Sequence, residues 1–546
     1  MKISLPFLWL GMVLLLSSFP LKAQNNFFNN NGLPLKSLES PAFGQDILIH
    51  DMPDRNQHNV KVCSAFNGWL YAAYSYIDSY FGDISLCLLK STNNGISWEV
   101  LGEGGTGETF SFATKIELLV CGNNLSNLKI FLGYAFQDTI MGMVGAHLSR
   151  YNAEPFEYEA ALFPDQYTCD ISIASDYLFP TNNSNPFSLA MLFSKEGSHG
   201  HDSLIFRYSN DGGVTFPVRN IVAISNQFVH KVALDYGRSP SESNGRYFAA
   251  WEEQNNLNAP YGHIYTAHSS SNPVNPFSTH ICLDSLDPST LNKVRNPVIA
   301  CQQSDADNDS LNLSEVVMFE KSLPVSPYHN LKGYYNLQAA KSNHFRNFIA
   351  VPASHYVIQP DISFNPFSSN FMLTYFDSTT QKLPYFTKNV NLPDPNTWTQ
   401  MTSGYNDNGN MTSPHPSIRL KYDDQEAMFS WSGTRPNNNG VALYDATNST
   451  YNGIPETNMQ ENVRFYGASP NPCHTNTTIR FDLFNPEHVT ISLFNDLGKS
   501  EGIIADQIFP VGNNKVNIDV SKLSPGVDYY SFKAGMYSSS GKIVVY

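Results

Sequence analysis

Charge is scarce in this chain. Only 15% of its 546 residues are Asp, Glu, Lys or Arg, and 33 basic against 48 acidic side chains leave a formal net charge of −15. Nucleic acid is gripped by clustered Lys and Arg on its phosphates, so this balance argues against it as a partner and against adsorption to anionic lipid. Long apolar runs are scarce too. Beyond residues 5–16 no stretch approaches the roughly 20 residues that cross a bilayer, so the mature chain is expected to have no transmembrane span. Seven cysteines, Cys63, Cys87, Cys121, Cys169, Cys282, Cys301 and Cys473, form no CxxC pair or Cys/His cluster, and no metal site is expected. Gly-x-Ser-x-Gly elbows, phosphate loops, Rossmann glycines and HExxH are missing as well, so no cofactor is expected.

What is abundant points to strands. Aromatic residues make up 13% of the chain, with 34 Gly and 33 Pro, the composition of many short strands joined by turns. At the N-terminus, Lys2, the apolar run 5–16 and a small-residue end at Ala23 read as a signal peptide over residues 1–23. Export permits disulfides, and Cys63–Cys87 or Cys282–Cys301 are open pairings. Cys63, Cys87, Cys121 and Cys301 also sit in strand-like runs, where a cysteine acts as a small buried hydrophobe.

Residues 25–455 carry a seven-fold repeat. A strand with a central Val or Ile is followed by a turn and a strongly apolar, aromatic-rich strand. Val60, Ile116, Ile171, Val232, Val298, Ile362 and Ile418 mark the copies at steps of 56, 55, 61, 66, 64 and 56 residues. A period near sixty suits one four-stranded blade, so a single seven-bladed β-propeller is expected, in an all-β chain. Third strands are visible at 85–91, 203–209, 263–269 and 383–389.

Two of these run into a distinctive turn. Ser209-Asn210-Asp211-Gly212-Gly213-Val214-Thr215-Phe216 resembles the Asp-box (BNR repeat) of sialidase-like propellers, and Ser91-Thr92-Asn93-Asn94-Gly95-Ile96-Ser97-Trp98 is a looser copy. In such a turn an Asx side chain caps backbone donors, a Gly takes positive φ and an aromatic packs back into the blade. Ser209, Asp211, Gly213, Thr215, Phe216, Asn93, Gly95 and Trp98 are therefore expected to build structure.

Propellers bind ligands at one mouth of the axial channel, near the start of each innermost strand. His58, Asp170, His230, Arg295 (with Asn296), Asp361 and His415 are repeat-aligned there and form the candidate ligand-binding set. Catalysis of the sialidase type needs three arginines, a Tyr–Glu nucleophile and an Asp acid–base. Val294-Arg295-Asn296-Pro297 echoes the family's arginine motif only faintly, and Arg419 falls mid-strand. The reading leans to a non-catalytic module for an extracellular glycan or protein, with a sialidase-superfamily-like glycoside hydrolase or lyase as the alternative. Asp305-Ala306-Asp307-Asn308-Asp309 opens like a calcium loop but lacks its Gly and final Glu. Trp251-Glu252-Glu253 and Tyr422-Asp423-Asp424 set carboxylates beside aromatics at what read as solvent edges.

Residues 461–546 form a separate strand-rich module. Alternation in Ile479-Arg480-Phe481-Asp482-Leu483 and Val489-Thr490-Ile491-Ser492-Leu493 predicts half-buried strands, with turns at Asn495-Asp496-Leu497-Gly498 and Ser524-Pro525-Gly526. Together with Pro470-Asn471-Pro472 and the Gly541–Tyr546 terminus Gly-Lys-Ile-Val-Val-Tyr, this order resembles the type A C-terminal sorting domain of Bacteroidetes type IX secretion cargo. The resemblance implies a small β-sandwich, engagement of the type IX machinery, passage through the periplasm and delivery to the outer cell surface or medium.

Overall fold

The computed structural model describes residues 46–447 and 463–546, apart from 79–81, 110, 139–143, 163–167, 177–186, 197–201, 256–261, 285–292, 305–311, 323–328, 340–344, 350–354, 393, 408–410, 422–425, 436–438, 484–485, 496–498, 522 and 535–536. The expected signal peptide, Asp305–Asp309 as a loop and the Tyr422-Asp423-Asp424 group lie outside the described residues. The chain folds as two compact units, Met1–Tyr451 and Asn452–Tyr546.

The first unit is a seven-bladed β-propeller. Each of its seven sheets has four antiparallel strands. The innermost strands, numbered here as blades one to seven, are His58–Ser64, Ser111–Cys121, Thr168–Ser175, Phe228–Ser239, Lys293–Cys301, Val357–Asn365 and Ser417–Lys421. Each contains one of the seven Val or Ile residues that set the sequence period. In blades one to six the strands run outward in chain order. Blade seven differs. It builds three strands from Ser417–Lys421, Glu426–Thr434 and Gly440–Ala446 and takes its outermost strand from Ile47–Leu48, with Ile47 opposite Tyr444 and Leu48 opposite Leu443. The ring is closed by residues almost 400 positions apart, a step that no local pattern announces.

Packing follows the blades. Seven apolar clusters occupy the seven seams, one between each pair of neighbouring sheets. The seam between blades three and four holds Phe206, Tyr247 and Trp251, and that between six and seven holds Tyr405, Phe429 and Trp431. Each such fully buried side chain contributes about 1.5–3 kcal/mol. Both faces of every blade are covered, which explains second strands that read as unbroken apolar runs, such as Leu189–Lys195 and Asn370–Asp377.

The same alternation decides the cysteines. All seven are unpaired, so neither Cys63–Cys87 nor Cys282–Cys301 forms. Cys63 faces blade two and donates to the Leu118 carbonyl at 2.9 Å, while Cys87 projects from the other face of its blade into the seam with blade seven. Cys301 is buried between blades four and five, and Cys282 is exposed.

The two expected turns share one hydrogen-bond scheme. Ser209 Oγ donates to Asp211 and accepts from the Gly213 amide at 2.8 Å, and Asp211 Oδ1 accepts from the Val214 and Thr215 amides at 3.0 and 2.9 Å. In the other copy Ser91 Oγ donates to Asn93 and accepts from Gly95, and Asn93 accepts from the Ser97 amide. Gly95 has φ +83°, and a Cβ there would lie 2.4 Å from the Tyr444 ring of blade seven, against which Trp98 packs edge-on. These turns thus pin a blade to the one before it.

The second unit has a three-stranded sheet (Val463–Ser469, Asn476–Leu483, Gly512–Asp519) and a four-stranded one (Ser500–Phe509, Glu487–Phe494, Gly526–Ala534, Tyr537–Val545). Ile479, Phe481, Val489, Ile491 and Phe532 fill its core, on the alternation the sequence predicts. Among the described residues no helix is long and apolar enough to cross a membrane.

Partial burial of Asp211 opposes its charge, but the donors from Ser209, Thr215 and Val214 hold its carboxyl below the ordinary range. Its stabilisation is therefore complete above the unfolded carboxylate pKa of about 4 and is lost as pH falls through the lower folded value. Asp211→Ala is expected to cost about 1–2 kcal/mol at pH 7, with the loss shrinking towards pH 2, by denaturant titration.

Candidate functional site

The seven innermost strands enclose an axial cavity of about 510 Å³. At the mouth, where these strands begin, the ladders of blades one to six are interrupted by β-bulges, for instance between His58 and Lys61, His230 and Ala233, Arg295 and Val298, and Ile358 and Asp361. A bulge re-aims the side chains that follow it. Five non-glycine residues at this level have left-handed backbone: Asn59 (φ +53°), Lys231 (+48°), Asn296 (+55°), Gln359 (+55°) and His415 (+44°). All five line the cavity. Each such conformation costs on the order of 1 kcal/mol, and the cost is gathered around one opening.

Hydrogen bonds from blade to blade hold these residues. The Asn296 amide donates to Glu252 of blade four at 2.9 Å, the Gln359 amide to Glu320 of blade five at 2.9 Å, and the His415 amide to the Gln359 side chain of blade six at 3.0 Å. Asp170 of blade three accepts from the Val232 amide at 3.0 Å, and Asp361 of blade six from the Ile418 amide at 3.0 Å. Each acceptor thereby ties the inner strand of one blade, near its start, to the blade before it.

A layer of cations crosses the channel. The Lys115 ammonium donates to the Ile171 and Val232 carbonyls at 2.8 and 2.7 Å and pairs with Glu117 at 2.9 Å and Asp170 at 3.8 Å. Burial works against its charge, yet Asp170 and Glu117 raise its pKa. On the other side Arg419 donates to Asp361 at 2.8 Å, and Lys61 lies 3.7 Å from the same carboxylate. Burial disfavours the Asp361 charge, but Arg419 and Lys61 outweigh it and hold the carboxyl below its usual range. Arg295 binds Glu320 at 2.7 Å, and Asn296 Nδ2 binds its other oxygen at 2.8 Å.

Three of the six residues expected at the mouth line the cavity: Arg295, Asp361 and His415. His58, Asp170 and His230 are not among the lining residues. The bulges give the channel-facing places to Asn59, Lys61 and Lys231, while Asp170 turns to the next blade's backbone. Burial pushes the His230 imidazole down to about 4 and lowers that of His58. Arg419 does fall mid-strand, but in an innermost strand, so its side chain enters the channel. Trp251-Glu252-Glu253 is not a solvent edge. Glu252 is fully buried, and Glu253 accepts from Trp251 Nε1 at 2.9 Å and Ser225 Oγ at 2.6 Å.

Two groups remain at the mouth for a ligand. The His415 ring, reachable by water but ringed by the channel wall, shares Nε2 with Ser413 Oγ at 3.0 Å and Gln359 Nε2 at 3.2 Å. Desolvation, then Lys231 and Lys61, drives it down to about 3, so it is neutral at physiological pH. Lys231 is exposed within the channel and makes no ion pair among the described residues. Lys61, Lys115, Glu117, Lys231, Gln359 and Glu320 were missed from sequence. Four of them could have been found as charges at alternate positions of otherwise apolar inner strands.

Residues 468–546 match the family model described as "Secretion system C-terminal sorting domain". Comparison with curated proteins gave no match. Among solved structures, an α-L-arabinofuranosidase from Fusarium graminearum is similar at 12% identity and TM-score 0.42, over 74% of this chain and 98% of that one. An α-L-arabinanase from Penicillium chrysogenum is similar at 13% identity and TM-score 0.41, over 75% and 99%. A protein of unknown function from Dyadobacter fermentans is similar at 10% identity and TM-score 0.43, over 74% and 99%. Likeness at this level carries no argument about activity.

Lys115→Met should cost about 3–5 kcal/mol, because it strands Asp170 and Glu117 without their cation; thermal and denaturant unfolding measure it. Glu252 behaves oppositely to Asp361: burial, against its Gln254 and Asn296 hydrogen bonds, raises its carboxyl to about 7. The folded state therefore binds more protons between the unfolded value of about 4 and pH 7, and this contribution to stability falls as pH rises through that window. Glu252→Gln should gain on the wild type from pH 5 to pH 8 in matched denaturation curves.

Proposed function

We propose, taking as premise that this chain is exported by the type IX secretion system to the cell surface or extracellular space, that its propeller is a non-catalytic module binding an acceptor-rich extracellular glycan at the channel mouth. The observation that carries this reading is the ring of five strained polar residues, Asn59, Lys231, Asn296, Gln359 and His415, around one opening. Strain of this kind persists where surrounding structure enforces it and clusters at binding and catalytic sites. The groups on offer are the Lys231 ammonium, which makes no ion pair among the described residues, and the neutral His415 imidazole. They suit hydroxyl and carboxylate oxygens.

Hydrolysis of a glycosidic bond needs two carboxyl groups of different environment facing the sugar, one protonated and one charged. Here Glu252, raised by burial, is fully buried and does not line the cavity, while Asp235, raised by burial to about 7, does line it. The carboxyls that line it are engaged: Asp235 by the Cys301 and Tyr236 amides, Asp361 by Arg419, Glu320 by Arg295 and two amide groups, Glu117 by Lys115. This favours binding over turnover.

Glycan-array screening of the full chain, paired with a fluorogenic-glycoside panel, tests the reading. Lys231→Ala is expected to weaken retention of the best glycan about tenfold, or about 1.4 kcal/mol, with no turnover in either protein. Hydrolysis that disappears in Glu320→Gln or Asp361→Asn, with folding retained, would establish the enzyme instead.

A further inference from the structure

Hydrogen bonds at the channel mouth decide which nitrogen of the neutral His415 ring carries the proton. The His415 amide donates to Gln359 Oε1 at 3.0 Å, which fixes the orientation of that side chain and makes its Nε2 a donor. Gln359 Nε2 donates to Ser413 Oγ at 2.8 Å and lies 3.2 Å from His415 Nε2. His415 Nε2 is therefore an acceptor, and the proton sits on Nδ1. That Nδ1–H meets no acceptor among the described residues, and the ring lines the cavity.

The rest of the opening has the same polarity. The Lys231 ammonium is exposed in the channel and makes no ion pair among the described residues. Burial first, then Lys231 and Lys61, opposes a proton on the His415 ring. A positive potential that repels a proton there attracts an anion. Five Lys or Arg side chains line the cavity against four carboxyls, and burial holds one of the four, Asp235, towards its neutral form. The other three, Glu320, Asp361 and Glu117, are engaged by Arg295, Arg419 and Lys115. The wall thus carries a local positive excess within a chain whose net charge is −15.

We infer that the channel mouth takes an oxyanion substituent of its glycan, a carboxylate or a sulfate ester, held by the Lys231 ammonium and the His415 Nδ1–H. This rests on the proposed glycan binding and narrows it. An oxyanion offers only acceptors to these two donors, and charge-assisted hydrogen bonds are roughly twice as strong as neutral ones. A sugar hydroxyl also brings a donor, for which the engaged carboxyls leave no charged acceptor. An ammonium on a flexible stem is a point charge, so planar carboxylate and tetrahedral sulfate suit it alike. The cavity, about 510 Å³, falls in the range of about 300–1,000 Å³ that encloses a small ligand. One acidic sugar therefore fits better than a length of polyanion, which the acidity of the whole chain repels.

A glycan array carrying galacturonate, glucuronate and 6-sulfogalactose glycans, each beside a neutral counterpart of the same backbone, tests this on the full chain. An acidic glycan is expected to be retained about tenfold or more over its counterpart, the carboxylate and sulfate arms showing which source is preferred. Lys231→Gln should abolish that preference without changing neutral retention, and Lys231→Arg should keep it. His415→Gln, which keeps an acceptor for Gln359 but lacks the Nδ1–H, should reduce it about threefold, with near-UV circular dichroism confirming each fold. Sodium acetate and sodium sulfate, titrated by calorimetry, probe the anion site without a sugar. Neutral glycans retained as strongly as acidic ones, or a preference unchanged in Lys231→Gln, would overturn the oxyanion assignment and leave glycan binding standing. Saturable acetate or sulfate binding that Lys231→Gln removes, with no glycan retained, would support the anion site and overturn glycan binding. Neither glycan retention nor saturable anion binding would overturn both.

Discussion

A side-chain oxygen that receives a backbone amide from the neighbouring blade is the contact on which this architecture turns. Asp170, Glu252, Glu320 and Asp361 each do this around the axis, and Asp202 and Asp235 do it for the Val229 and Cys301 amides. Inner strands of separate sheets do not share a ladder, so their axis-facing amides need acceptors from elsewhere. Apolar seams supply most of the adhesion between blades, but they are non-directional. The carboxylates supply position, fixing how far each inner strand slides past the next and hence where the mouth residues stand.

That arrangement has an electrostatic consequence for the axis. Acceptors brought inward as anions must be neutralised in a poorly hydrated space, and Lys61, Lys115, Arg295 and Arg419 do so. The channel is therefore lined by a largely self-satisfied ionic layer, and the groups left for a ligand are those at its edge. Glu252, hydrogen-bonded by Gln254 and the Asn296 amide, forms no ion pair among the described residues, and burial holds it towards its neutral form. A chain poor in charge spends much of it where the sheets converge.

Blade number and inner strands were legible because every blade repeats the same burial problem: a centre strand with one apolar anchor, then a strand covered on both faces. Cys63 and Cys87 were legible as buried hydrophobes, and their separation across one sheet follows from alternation that the spacing already contained. The mouth was half legible. Repeat alignment found Arg295, Asp361 and His415, but a bulge with a left-handed residue shifts which side chain faces the axis, and Lys231 has no residue type that signals positive φ as Gly or Asn does. Arg419 was misjudged because mid-strand placement matters less than which strand it is. The strand at Ile47–Leu48 was illegible, since two residues carry no period.

That short strand gives the molecule the character of a clasped belt. Six blades are each complete within one stretch of sequence, whereas the seventh is finished only when residues near position 47 meet those near 444. The entropy of joining ends so far apart grows only logarithmically with their separation, so the clasp is thermodynamically cheap, yet it is the contact formed last in chain order. Until it fastens, the seam between Tyr444 and Val60, Leu70 and Tyr74 lies open, a strip of aromatic and aliphatic surface at each end of the belt. The largest commitment to compactness thus waits for the final residues of blade seven, and closing the ring covers both of those strips at once.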